Sequence, residues 1–483
     1  MAWKGELPLA GTFLGIEIGK RALMTHQRAL WVISHNVGNA NTPGYTRQVA
    51  DLRATPSLDA PPYGHLGTGV DVVQIRRMHD AFTQIQLLQE EMSLGYWEEM
   101  AGRIGQVERF LMEPTESGIG QALDWFWEAW NELAKRPESI PEREVVLERA
   151  RGVADAFRHT RQQLYELQLD LNRQIEVQVG EVNTLASRIA QLNKEIARVV
   201  RLGQQPNDLM DQRDELLRQL STIVGFTIED GKDGQISVRM GDHMLVDGDR
   251  AYRLETRTKP FPDDAQGDQP QFNAVEVIWP DGDLANLGTS KLQAMVELRD
   301  THIQGWIRDL DELAKAFIDA VNALHRQGGG LDGSTDLDFF TGEGAWDIGV
   351  AALRPEQVAA AYDDPPTTGL EEPGNGENAR RIADLAHTDL LIGSTEMTVD
   401  EAMESLLARV GSMGQESQVR VETQTVLLNH LEDQRASVSG VSLDEELTNM
   451  LRFEHAYAAA ARVLTAVDSM LEHLILRTGR VGL

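Results

Sequence analysis

Residues 438–478, VSGVSLDEELTNMLRFEHAYAAAARVLTAVDSMLEHLILRT, decide the fold of this chain. Ser442, followed by Glu445 and Glu446, supplies a hydroxyl cap and an acidic first turn, which stabilise the exposed N–H groups of a helix start. Apolar residues then recur at steps of three and four, which places them on one helix face. A stripe of this length cannot bury itself, so it predicts a partner helix. The stripe comprises Leu447, Met450, Phe453, Tyr457, Ala460, Leu464, Val467, Leu471 and Leu474.

The predicted partner lies near the other end of the chain. Ile16, Leu23, Leu30 and Val37 recur every seven residues, which is typical of a coiled-coil seam. The seam stops at residues 41–44, Asn-Thr-Pro-Gly, because proline and glycine end a helix. Two such stripes predict that the ends of the chain pair while its middle is looped out.

A pair of helices leaves much of each helix in water, so we expect neighbouring subunits to cover the remaining apolar surface. The role predicted for the two ends is therefore self-assembly. The predicted assembly residues are Ile16, Leu23, Leu30, Ile33, Val37, Leu447, Met450, Phe453, Tyr457, Leu464, Val467, Leu471 and Leu474.

Composition excludes several classes of function. The chain has 483 residues, enough for three or four domains, and a formal net charge of −31. That charge disfavours nucleic acid and anionic membranes as partners, because their phosphates would repel the protein. Without cysteine, neither disulfides nor thiolate chemistry are available. The start, MAWKGELPLAGTF, lacks the features of a secretory signal, so export would use another route.

The middle of the chain is mainly helical, with one change of period. From Ile223 onward apolar and polar residues alternate between Asp-Gly turns, which predicts β-hairpins. The predicted fold is mainly α with an inserted β-rich domain, α+β overall, built from terminal coiled-coil helices and a bundle of long helices. The predicted segments are a coiled-coil helix at 1–44, an extended or hairpin segment at 45–79, the first part of the bundle at 80–222, the β-rich domain at 223–288, a helix returning to the bundle at 289–327, an irregular segment at 328–396, the second part of the bundle at 397–436 and a coiled-coil helix at 437–483.

Three features of the helical segments carry further expectations. Four aromatic residues fall within 125–130, and we interpret them as a core anchor rather than a ligand platform. Asn207 or Asp208 is expected to cap a short helix. The helix at 398–434 is expected to pack against the long helix at 142–202.

No constellation of residues predicts catalysis, a metal site or a cofactor. The twelve histidines are scattered, without an H-E-x-x-H pair. The carboxylates of Asp208, Asp211, Asp214 and Glu215 are interpreted as a solvated face rather than a cation site, since helical spacing scatters them and Arg213 lies among them. His26 is interpreted as tolerated in the seam rather than as a pH switch. We therefore expect a protein that is not an enzyme.

Several motifs resemble those of a known family. Residues 33–48, ISHNVGNANTPGYTRQ, resemble the N-terminal signature shared by flagellar rod, hook and hook-associated proteins. Three further stretches are similar to the hook-associated protein 1 family, the hook–filament junction proteins: residues 67–87, the PNDLMDQRDELL run at 206–217 and the C-terminal stripe. His26, His455 and the alanines at 458–460 depart from the family pattern.

The resemblance implies a structural component of the bacterial flagellum that joins hook to filament as a ring, with one subunit per protofilament. The implied partners are further copies of the chain, the hook protein, a second junction protein on the filament side and an export chaperone that binds the C-terminal helix. The implied location is extracellular, after type III export without a cleaved signal peptide. Two alternatives stay open: another axial protein, such as a hook or distal-rod subunit, and an enzyme with its site in the β-rich domain.

Overall fold

The computed structural model describes residues 10–59, 64–111, 118–262, 270–362 and 370–477, with the backbone alone at 10–12 and 474–477. Pro114 predicts an interruption of the helical segment at residues 113–115, which, like the side chain of Leu474, lie outside the described residues. Long helices dominate and the sheets are small, which confirms the predicted fold class. Within the described ranges, no helix has the length and apolar character needed to cross a membrane.

The two ends of the chain form one terminal unit. Helix α1 packs along helix α10 on one side and against the β1–β4 hairpin on another. In that hairpin β1 and β4 are antiparallel, and a register shift between Asp51 and Leu52 marks a bulge. The pairing predicted for the termini is thus present within a single chain. The elements are α1 (Ala10–Gly38), β1 (Gln48–Ala54), β2 (Leu58–Asp59), β3 (His65–Leu66), β4 (Val70–Arg77) and α10 (Leu443–Arg477).

A helical body occupies most of the remaining chain. Its longest helix, α4, spans 62 residues; Ser139 caps it through a bond from the backbone N–H of Glu142, and a proline lies in its first turn. The body helices are α2 (Ala81–Leu111), α3 (Ile119–Lys135), α4 (Ile140–Arg201), α5 (Asn207–Ser221), α6 (Lys291–Glu297), α7 (Ile303–Gln327), α8 (Glu377–Ala383) and α9 (Val399–Ser439).

The β-rich insertion lies on α4. A four-stranded antiparallel sheet, in the order β5-β6-β7-β8, precedes a separate hairpin of β9 and β10. Asparagines of α4 bind this insertion directly: Asn193 Nδ2 donates to the carbonyls of Ile236 and Gly248, and Asn183 Nδ2 donates to that of Leu254. The strands are β5 (Thr227–Asp230), β6 (Ile236–Met240), β7 (His243–Asp247), β8 (Arg250–Ala251), β9 (Glu255–Phe261) and β10 (Phe272–Ile278).

The described parts of the segment predicted as irregular, 328–362 and 370–396, consist of short elements packed onto α3, α4 and α7. Two small hairpins, β11 (Phe340–Thr341) with β12 (Gly349–Val350) and β13 (Leu390–Ile392) with β14 (Thr395–Met397), flank α8. Side chains of α7 hold the loops between them. Asn322 Oδ1, for example, accepts from the backbone N–H groups of both Phe339 and Phe340 at 2.8 Å.

Two expectations about the helices can be compared with the structure. Phe126, Trp127 and Trp130 are buried in the core, as expected of a core anchor. The expected packing of the 398–434 helix against the long helix is wrong. Helix α9 instead lies along α2, where Leu428 and Leu431 pack on Leu87. The spacing of apolar residues identifies which face of α9 is buried but not which helix covers it. Helix α2 is long enough to cover that face.

Candidate assembly surface and its joint with the body

The α1–α10 pair is close because α1 carries glycine at the contact. A Cβ built on Gly19 would lie 3.2 Å from Leu464 Cγ, and one on Gly15 would lie 3.3 Å from a Val467 methyl. Side chains at these two positions would push α10 away. His26 lies in the same contact, with its ring centroid 5.9 Å from that of Phe453. Burial lowers the pKa of His26, and its buried Nδ1 has no hydrogen-bond partner among the described residues.

The predicted assembly residues lie inside this pair or along its edge. Ile33 is buried, whereas Leu447 and Tyr457 are exposed. Half-buried are Ile16, Leu23, Leu30, Val37, Met450, Phe453, Leu464, Val467 and Leu471. Most of these residues therefore contact the other terminal helix of the same chain. Their contacts with neighbouring subunits stay a prediction.

A second apolar surface was not predicted from the sequence. On α1, Phe13 and Trp31 are both 63% exposed and Met24 is 49% exposed. Their spacing of eleven and seven residues places all three on one side of the helix, away from α10 and from the hairpin. Exposed apolar residues outside the predicted stripe also lie on both flanks of α10, namely Leu443, Leu451, Val463 and Met470. These residues lie outside the strongest apolar stripe, which marks one helix face only, so the periodicity of the sequence does not indicate them.

The turn after α1 locks the start of α10 in place. The carboxylate of Glu446, only 2% exposed, accepts from Asn36 Nδ2 at 3.1 Å and from Arg47 Nε at 2.8 Å. Asn36 Oδ1 in turn accepts from the hydroxyl of Tyr45 and the backbone N–H of Gln48. The Asn-rich, Pro-Gly-Tyr motif therefore sets the register of the two terminal helices.

Helix α5 is the part of the body that binds the terminal unit. Arg77 Nη1, from β4, donates to Asp211 Oδ1 and to Asp214 Oδ2, both at 2.7 Å. Asp211 Oδ2 also accepts from the backbone N–H of Thr46 at 3.1 Å. Burial raises the pKa of Asp211, although Arg77 acts in the opposite direction.

The interpretation of the carboxylates on α5 as a solvated face is wrong for Asp211, which is buried, and for Asp214, which is half-buried, because both pair with an arginine from a distant part of the chain. Glu215 is half-buried and pairs with Arg218 of its own helix, whereas Asp208 is exposed.

The first turn of α5 makes further contacts with the terminal unit. Asn207 Nδ2 donates to the carbonyl of Ile75 at 2.9 Å, and Asp208 Oδ1 accepts from Gln48 Nε2 at 2.7 Å. The expected capping by Asn207 or Asp208 is wrong: Pro206 is the N-cap and no side chain caps the helix. The two side chains bind β1 and β4 instead. Burial, with the charges of Asp208, Asp211 and Glu446, raises the pKa of Tyr45 beside them.

One group of potential metal ligands stands out among the described residues. His243, Asp281 and Asp283 lie together at the surface of the β-rich insertion. His243 Nε2 is 3.0 Å from Asp281 Oδ2, and its ring stacks on Trp279 with centroids 5.0 Å apart. The ion pair and the stacking explain the position of His243, so we do not interpret this group as a functional site.

Comparison with protein families identifies the class. A model described as flagella basal body rod protein matches residues 16–46, and one described as flagellar basal body rod FlgEFG protein C-terminal matches residues 433–476. These matches cover most of the two helices of the terminal pair. The fold and its terminal unit thus define a structural protein of the bacterial flagellum.

Matches that include the helical body identify the family within this class of flagellar proteins. The helical-domain model of flagellar hook-associated protein FlgK matches residues 104–340. Flagellar hook-associated protein 1 of Bacillus subtilis (strain 168) is 30% identical, over 97% of this chain and 98% of the relative. The protein of that name in Salmonella typhimurium is 26% identical, over 93% of this chain and 97% of the relative. The chain belongs to the hook-associated protein 1 family, which confirms the resemblance.

A solved structure shares the fold. The flagellar hook junction protein FlgK from Burkholderia pseudomallei superposes with a TM-score of 0.61 at 15% identity, covering 73% of this chain and 100% of that one. Its membership of the hook-associated protein 1 family makes the chain a structural junction protein of the flagellum.

Proposed function

We propose that this protein joins hook to filament as a ring of copies, with one subunit per protofilament, held together by their terminal helices. Its further partners are the hook protein and, on the filament side, a second junction protein. It reaches the cell exterior through the flagellar type III apparatus. A cytoplasmic chaperone binds α10 before export, since that helix displays apolar side chains on both flanks.

The exposed apolar surface of the terminal unit carries this proposal. Large exposed patches on a single chain mark interaction sites. Here one such surface lies on α1, at Phe13, Met24 and Trp31, and others lie on the two flanks of α10. Each subunit in a tube has neighbours on more than one side, and heterologous contacts between unlike surfaces suit that arrangement.

Substitution of Trp31 tests the proposal. Trp31→Glu places a charge in the exposed patch without touching the α1–α10 contact, because the side chain points away from it. We expect the variant to keep the helix content of the parent by circular dichroism but to be absent from purified hook–filament junctions. The matched control is Ser34→Glu, which adds the same charge at another exposed position of α1. Normal incorporation of the Trp31 variant would contradict the proposed contact.

A further inference from the structure

We propose that Arg77, with Asp211 and Asp214, is the positioning element that fixes the angle between the terminal unit and the helical body. This inference rests on the proposed function, in which the terminal helices must meet those of neighbouring subunits at a set orientation. Arg77 is placed by β4 and its two partners by α5.

Helix α5 faces both parts of the molecule. Asn207, Asp211 and Asp214 follow the i, i+4, i+7 spacing of one helix face, and this face binds the terminal unit. Arg213 points the other way. Its Nη1 donates to Asn193 Oδ1 of α4 at 3.1 Å and to the carbonyl of Gly234 at 2.7 Å. The helix is therefore bonded to the body on one side and to the terminal unit on the other.

The joint is polar, whereas the parts that it connects are apolar inside. The large core cluster of the body begins at Leu88 and ends at Val410, and none of its buried members belongs to α1, β1, β4 or α10. Across the joint the contacts that we identify among the described residues are hydrogen bonds and ion pairs. Apolar packing is non-directional, but charge-assisted hydrogen bonds depend on geometry. A joint of this kind specifies an angle more than it adds stability.

Arg77 is central to this geometry. Its side chain is 10% exposed, and one nitrogen bridges both carboxylates. Its neighbour Arg76 lies on the opposite face of β4, is 49% exposed, and pairs with Asp51 inside the hairpin. Arg76 is adjacent to Arg77 on the same strand and also pairs with a carboxylate but takes no part in the joint, so it provides a matched control.

A distance measurement on the isolated chain tests the inference directly. Because the chain has no cysteine, Gln27→Cys on α1 and Glu176→Cys on α4 allow two spin labels at exposed sites. Electron–electron double resonance should give one narrow distance distribution in the parent and in Arg76→Gln. In Arg77→Gln we expect the distribution to broaden at least about twofold, and in Arg77→Lys to lie between the two. An unchanged distribution in Arg77→Gln would overturn the inference.

A second variant separates loss of the joint from unfolding of the hairpin. Asp211→Asn with Asp214→Asn removes the same ion pairs from the body side and leaves β1 and β4 unaltered. It should broaden the distance distribution as Arg77→Gln does, and a narrow distribution would contradict us. The readout needs no assembly, so it distinguishes this inference from the proposed function. Broadened variants should also enter hook–filament junctions at least about tenfold less often, whereas Arg76→Gln should enter normally.

Discussion

His325, at the end of α7, is a buried histidine that the fold holds in its neutral form. Its Nδ1 lies 2.6 Å from the carbonyl of Leu337, and its Nε2 accepts from the backbone N–H of Ala359 at 3.0 Å. Nδ1 therefore carries the proton. Burial lowers the pKa of His325 to about 4. The side chain thus links α7 to two loops of the 328–396 segment, which no sequence pattern indicated.

This pKa predicts a loss of stability in acid. The folded pKa lies below the ordinary 6.5, so the contribution of neutral His325 is complete above pH 6.5 and is lost as the pH falls toward 4. At about 1.4 kcal/mol per pKa unit, the loss is on the order of 3 kcal/mol. Urea unfolding between pH 7 and 4 should show a shallower decline for His325→Gln than for the parent or for the exposed control His430→Gln. Equal slopes would contradict this assignment.

Glu446 and Glu445 make a second comparison between neighbouring residues. Both bond Arg47, but the Glu446 side chain is 2% exposed and that of Glu445 is 61% exposed. Glu446→Ala removes a buried acceptor from Arg47 and from Asn36. As donors these two side chains keep their bonds to Glu445 and to the carbonyl of Gln48, so we expect a cost of about 1–3 kcal/mol. Glu445→Ala should cost less than about 1 kcal/mol. Amide hydrogen exchange in the first turns of α10 measures both, and similar exchange in the two variants would disprove the difference.

At the scale of elements, much of the chain was predictable from local signals. The long helix beginning beside Pro141, the change to strands after Ile223 and the helix start after Ser442 all follow from caps, prolines and periodicity. The partner of α9 and the role of Asp211 were not predictable. Both depend on contacts between distant parts of the chain, and Arg77 is 134 residues from Asp211. Local sequence patterns identify the apolar face of a helix or the position of a charged side chain, but not the residues that contact it in the fold.

Replacing either of two glycines in α2 with alanine is predicted to change the stability of the protein in opposite directions. Gly102 has open space at its Cβ position, whereas a Cβ on Gly95 would lie 2.9 Å from the carbonyl oxygen of Thr222. Gly102→Ala should stabilise the protein by about 0.5–1 kcal/mol through helix propensity. Gly95→Ala should destabilise it, because overpacking against backbone costs about 1–3 kcal/mol and exceeds that gain. Denaturant unfolding of both variants tests the prediction, which fails if Gly95→Ala is as stable as Gly102→Ala.

At the scale of the whole molecule, burial is unevenly divided between the body and the terminal unit. Among the described residues, the body has one large core cluster, in which many side chains of α4 are fully buried, and a small second cluster between α2 and α9. In the terminal pair the buried apolar side chains among the described residues are Ala29, Val32, Ile33 and Ala460. Helix stability in proteins comes mainly from packing of an apolar face. The terminal helices are accordingly the part whose stability depends most on neighbours.

This division predicts how the free and assembled proteins differ in hydrogen exchange. Local opening free energies follow local burial, so amides of α1 and α10 in the dilute monomer should exchange on the order of 100-fold faster than those in the buried centre of α4. In purified hook–filament junctions the terminal amides should become protected, because neighbouring helices cover Phe13, Met24 and Trp31. Amides of α4 serve as the internal control and should exchange alike in both samples. Slow exchange of both terminal helices in the monomer would show that the pair is complete without neighbours, and self-assembly through its apolar surface would then lose its physical basis.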